Sequence, residues 1–121
     1  MTAKYWKTKI NKALYALGQS EKSYNAIVET LANILEQRDR TYEKYIDDGA
    51  EPVKKYTNKG GATNTVKNPL IVLWDDLNKS ALSYWRELGL TPSSYKKMTG
   101  DSPKKAKEKN LSEVLRLIET G

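Results

Sequence analysis

Apolar residues fall at helical spacing along most of this chain. Trp6, Ile10, Ala13, Leu14 and Leu17 form one stripe. It predicts a helix over 4–17, with Gly18 as its stop. Tyr24, Ile27, Val28, Leu31, Ile34 and Leu35 begin a second stripe, continued by Tyr42, Tyr45 and Ile46. These predict a long helix over 21–47, capped by Ser20 and about 40 Å in length. Arg38 stands where one more hydrophobe is due, and Glu36 and Arg40 lie one turn apart. Asp47-Asp48-Gly49 ends this helix, but carboxylates there oppose the helix dipole, so fraying is expected near Tyr45. Leu73, Trp74, Leu77, Ala81, Tyr84, Trp85 and Leu88 predict a third helix over 69–88, and a short fourth follows over 92–98. Leu111, Val114, Leu115, Leu117 and Ile118 make a last compact apolar face behind Asn110 or Ser112. A helix that short is not stable alone, so it is expected to dock on this body or on a partner.

Between the second and third helices the pattern changes. Pro52 blocks helix, and Val53, Tyr56, Thr57, Thr63, Thr65 and Val66 favour extended backbone. Asn58-Lys59-Gly60-Gly61 is a turn sequence, so 49–68 reads as a connector holding a small β-hairpin. A lone hairpin is marginal in water and is expected to lean on helices or on another copy of the chain. The glycine pair does not make a phosphate-binding loop, because no G-x-x-x-x-G-K-[ST] is present, and nucleotide hydrolysis is not expected.

The corner between the third and fourth helices is the most specific stretch. Gly89 suits the left-handed residue that closes a helix, Thr91 is a good N-cap, and Pro92 fits the first helical position. The third helix starts alike, with Asn68 as cap and Pro69 first. Asn68-Pro69, an amphipathic helix, then Leu88-Gly89-Leu90-Thr91-Pro92-Ser93-Ser94 and a short basic turn resembles the bacteriophage terminase small-subunit family. The resemblance runs from about Tyr24 to about Met98. It is to the branch with two long helices joined by a Gly-rich connector that ends in Asn-Pro or His-Pro. That family commonly has Arg after the two serines; Tyr95 holds the place here, which leaves the cap intact and removes the basic side chain.

Composition narrows the chemistry. The chain has 121 residues and neither Cys nor His, which excludes disulfides, thiolate metal sites, imidazole bases and triads that need His. No segment approaches the roughly 18 apolar residues of a membrane span, and no apolar signal core opens the chain, so a cytosolic protein is expected. Net charge is +6, and its placement matters more than its size. Lys4, Lys7, Lys9 and Lys12 share residues 1–20 with no carboxylate, and Lys96, Lys97, Lys104, Lys105, Lys107 and Lys109 crowd residues 91–110. Residues 21–90 are nearly balanced. Two basic ends around a neutral body suit phosphate backbones, although lysines also simply solvate helices.

Catalysis finds little support. Asp75-Asp76 are adjacent on a helix and diverge, Asp47-Asp48 sit at a helix end, and Ser93 and Ser94 lack a base. No catalytic residue, metal or cofactor is expected. The aromatics instead point to assembly: eight Tyr, three Trp and no Phe make a set suited to half-wet interfaces. Trp74, Tyr84 and Trp85 read first as core, and Tyr42, Tyr45 and Tyr56 as subunit contacts. Both long helices carry stripes wider than one antiparallel pair can cover. A head-to-tail contact with another copy closes into a ring.

The expected fold is therefore mainly α, a long helical hairpin with short flanking helices and a small β-hairpin insertion, assembling as a ring. Its parts are a basic N-terminal helix over 1–19, an oligomerisation core over 20–100, and a basic linker with a C-terminal helix over 101–121. The resemblance implies a ring of eight to twelve copies, recognition of double-stranded viral DNA at the packaging start, and recruitment of the large terminase ATPase-nuclease in the host cytoplasm. Lys4, Lys7, Lys9, Lys12, Lys96, Lys97, Lys104 and Lys105 are the candidate DNA contacts. Leu111, Val114, Leu115 and Ile118 are the candidate dock for the large subunit. The alternatives are a monomeric or dimeric DNA-binding regulator, with 6–17 and 24–35 as a helix-turn-helix pair, and a protein-binding adaptor with solubilising ends.

Overall fold

The hydroxyl of Thr2 accepts the N–H of Tyr5 at 3.2 Å and so caps the first helix, α1, Ala3–Ala16. The computed structural model describes residues 1–19, 22–100 and Arg116. Ser20, expected to cap the second helix, lies outside the described residues. The second helix, α2, spans Asn25–Asp47 and is preceded by a 3₁₀ turn, Lys22–Tyr24. The long helix thus starts four residues later than its stripe predicts.

At its other end α2 runs to Asp47 rather than fraying at Tyr45. The Ala50 N–H bonds the Tyr45 carbonyl and the Gly49 N–H bonds the Ile46 carbonyl, at 2.9 and 3.0 Å. The Tyr45 hydroxyl donates to the Ala50 carbonyl at 2.9 Å, and Lys44 stands 3.7 Å from Asp48. These bonds satisfy the last carbonyls, and the lysine offsets the unfavourable carboxylates.

The strands β1 (Val53–Thr57) and β2 (Thr63–Lys67) pair antiparallel, with Val53 opposite Lys67 and Thr57 opposite Thr63. The Asn58 side chain accepts the N–H groups of Gly60 and Ala62, both at 3.0 Å, which folds the five-residue turn. The third helix, α3, spans Pro69–Glu87, and the fourth, α4, Pro92–Thr99. A mainly helical chain with a small two-stranded hairpin is the architecture read from sequence.

α1 and α3 both flank α2. Arg38 meets Asn78 and Tyr42 meets Trp74, so α2 and α3 run antiparallel. α1 reaches only as far as Glu36 and Asp39: the Ala3 N–H bonds the Glu36 carboxylate, and the Trp6 indole donates to Asp39 at 2.7 Å. The buried cluster therefore lies where three elements meet. It contains Trp6, Ile10, Ala13 and Leu14 from α1, Val28, Leu31, Ala32 and Leu35 from α2, and Ala81, Leu88 and Leu90. Beyond Asp39, among the described residues, only α3 accompanies α2. The apolar stripes stop being core there: Tyr42, Ile46, Val72 and Leu73 are exposed. Trp74, Tyr84 and Trp85 are half-buried at the margin of the core rather than its centre.

Arg38 interrupts the stripe because it sits at this junction. Its guanidinium lies 5.2 Å from the Trp6 ring, donates to Asp39 at 3.0 Å and reaches Asn78 at 3.4 Å. One cation thus links α1, α2 and α3.

Candidate nucleic-acid surface

Two elements carry the described lysines of the expected DNA set. On α1 the buried stripe faces α2, which leaves the opposite arc for charge. Lys4, Lys7 and Lys12 are exposed there and Lys9 is half-buried. The Lys9 ammonium stands 4.9 Å from the Tyr5 ring centre and 5.8 Å from that of Trp6. Lys4, Lys9 and Lys12 surround one shallow depression of about 470 Å³ with Thr2, Tyr5 and Thr8. Three of the four lysines are brought together, and Lys7 lies outside that depression. α1 carries no carboxylate, so every charged side chain that it presents is a cation.

The second set stands on α4, which packs on α3. Lys96 and Lys97 are exposed in its last turn, where cations complement the helix dipole. Lys97 borders a depression of about 590 Å³ with Arg86, Glu87, Ser93, Ser94 and Met98. Arg86 joins this patch from the end of α3, a cation that the reading by terminal segments passed over. Lys104 and Lys105 lie outside the described residues, as do Leu111, Val114, Leu115 and Ile118 of the expected dock.

α4 is held by the corner. Gly89 has φ +70° and its N–H bonds the Arg86 carbonyl, while the Leu90 N–H bonds that of Trp85. Together these close α3 with a paired-bond cap. Thr91 and Ser94 then form a capping box, each side chain accepting the other's N–H, at 3.3 and 3.2 Å. Ser94 is thus a structural hydroxyl. Tyr95, which follows the two serines, is 7 % exposed and so belongs to the buried side of the fourth helix.

Among the expected subunit contacts, the structure groups two. Tyr42 is exposed and its ring lies 6.1 Å from Tyr45 and 5.6 Å from Trp74. The Tyr45 hydroxyl is already engaged with Ala50. Tyr56 is exposed on β1, apart from that group.

Among the described residues the carboxylates do not converge. Asp75 bonds Lys79 at 3.0 Å, which raises the lysine's pKa, first through that hydrogen bond and then through charge. Among the described residues no group of three or more potential metal-ligating side chains comes together. No described helix is long and apolar enough to cross a membrane.

No curated protein and no solved structure matches the chain. A family model does: that of phage terminase, small subunit, matches residues 3–105. Proteins of this family serve phage DNA packaging without a catalytic site of their own. The match takes in α1, the helical pair with its hairpin connector and the capped corner, and the chain belongs to the phage terminase small-subunit family.

Proposed function

We propose that the protein binds double-stranded phage DNA at the packaging start and brings the large terminase subunit to it, acting in the host cytoplasm as a closed ring of copies. The observation that carries this reading is the α1 surface. Lys4, Lys9 and Lys12 border one depression with no carboxylate on the helix. Such a surface gains affinity by releasing counterions from the duplex. Lys96 and Lys97, continued by Lys104 and Lys105, supply the second set of phosphate contacts. The basic ends carry no Arg before residue 116, and Arg is the usual guanine reader, so these contacts favour backbone over bases. Repetition round a ring multiplies weak lysine contacts into avidity. Tyr42 and Tyr45 with exposed Val72 and Leu73 supply the surface between copies, and Leu111, Val114, Leu115 and Ile118 the dock for the large subunit.

Light scattering on the purified protein tests the assembly. A mass many times 13.8 kDa is expected, and a mass of one or two copies supports the regulator instead. Affinity for duplex DNA should fall steeply as salt rises. A flat response supports the adaptor.

A further inference from the structure

We propose that the β1–β2 hairpin is a separate DNA-contacting element, a two-stranded arm that lies in the major groove with its lysines against the flanking phosphates. This rests on the DNA-binding reading above and adds a third site to it. Residues 52–68 contain Lys54, Lys55, Lys59 and Lys67 and no carboxylate. By contrast α2 carries Glu29, Glu36, Asp39, Glu43 and Asp47 against only Arg38, Arg40 and Lys44. The near-neutral middle of the chain is thus an acidic helix joined to a basic arm.

The arm stands clear of the helices. Every residue of both strands is exposed except Lys54, which is half-buried, and Val53 and Tyr56 are 47 % and 51 % exposed. The register places charge on every side of it. Lys54, Val66, Tyr56 and Asn64 share one face, Val53, Lys67, Lys55 and Thr65 the other, and Lys59 sits in the turn. Among the described residues none of the four lysines makes an ion pair.

Charge on both faces and at the tip fits a groove with phosphates on both walls. The major groove, about 12 Å wide, admits a two-stranded ribbon. Five-residue strands reach about 17 Å, enough to cross it. A second copy of the chain is the poorer occupant. Cores of protein interfaces are depleted in Lys, and lysines along a strand edge oppose pairing with another edge.

The root of the arm is fixed. Asn68 is 1 % exposed; its side chain accepts the Leu70 N–H at 3.0 Å and donates to the Glu51 carbonyl at 2.8 Å, while its own N–H bonds the Pro52 carbonyl at 2.9 Å. The residue that caps α3 also closes the hairpin, so the arm is presented in one direction.

The test uses the full chain and a fluorescein-labelled 30-base-pair duplex, with affinity read by anisotropy across a salt series. The fourfold variant Lys54→Gln, Lys55→Gln, Lys59→Gln, Lys67→Gln should bind at least about tenfold more weakly, with a salt slope shallower by up to about 0.9 per lysine. Its mass by light scattering should match that of the unsubstituted protein. The single variant Lys59→Gln, in the exposed turn, guards against loss of the hairpin and should flatten the slope by up to about 0.9. The triple variant Lys4→Gln, Lys7→Gln, Lys12→Gln is the comparison. If it loses DNA while both hairpin variants keep affinity and slope, the arm is refuted and the general DNA reading survives. A change of native mass in the fourfold variant also overturns the proposal, because the hairpin then joins copies. An unsubstituted protein that ignores the duplex at low salt removes both readings.

Discussion

Gly89 shows how much of this molecule turns on single positions. Its φ of +70° is a conformation that side chains disfavour, and a Cβ built there comes within 2.5 Å of the Met98 sulfur. Backbone strain is the main cost, because the exposed thioether end of Met98 can swing aside from a new Cβ. Gly89→Ala should destabilise the protein by about 1–3 kcal/mol, read as a lowered urea midpoint. Shortening Met98 to Ala in the same chain should recover little of the loss, because that exposed side chain yields without it, and a large recovery means that the steric share dominates. The glycine and both caps of the corner are legible in the sequence because capping is local: Thr91, Pro92 and Ser94 act within four residues of one another. Arg38 is the opposite case. Sequence marks it as a missing hydrophobe, but its partners Trp6 and Asn78 are 32 and 40 positions away. No spacing rule connects them.

At the scale of elements, periodicity places every described helix and the hairpin to within a few residues, while burial departs from it. The α2 stripe looks continuous through Ile46, yet its core stops near Asp39 because α1 is too short to accompany it further. Helix length, a property of a neighbouring element, decided that limit. The same reasoning singles out Trp6. It is 1 % exposed, donates to Asp39 and lies beneath Arg38. Trp6→Ala should cost about 3–5 kcal/mol, and should release α1 by leaving Asp39 without its indole partner. Native-state hydrogen exchange should then rise across α1 more than across α3. Equal rises would mean that α1 is not a separable layer. The turn sequence predicts a hairpin that leans on helices or on another copy; in the structure all its strand residues but Lys54 are exposed, so no described helix covers it. Its charge was equally hidden. Summed over residues 21–90 the lysines of 54–67 cancel against the carboxylates of α2; division of that span at the hairpin's ends separates a basic arm from an acidic rod.

At the scale of the whole molecule, the absence of histidine removes the one side chain whose ordinary pKa falls between about 5 and 8. Affinity for duplex DNA at fixed salt should therefore change less than about twofold from pH 6 to 8, measured by anisotropy in matched ionic strength. A steep change there would point to a titrating group outside the lysine sets. The Lys79–Asp75 pair acts elsewhere. Its raised lysine pKa contributes fully below the ordinary value of 10.5 and fades only as pH climbs through the folded-state value. The family was legible at this scale through the corner motif; composition and the lysine-bearing ends alone leave the regulator and the adaptor standing beside it.

Asn68 carries a last consequence. An appendage rooted in slack peptide would sweep a cone, and no two neighbours would aim alike. Here one buried amide fastens the strand pair to the start of α3, so each subunit inherits the same bearing for its arm. In a cyclic assembly the arms would then tilt in a common sense, like the teeth of a gear, and whatever lay along them would meet every tooth at one pitch.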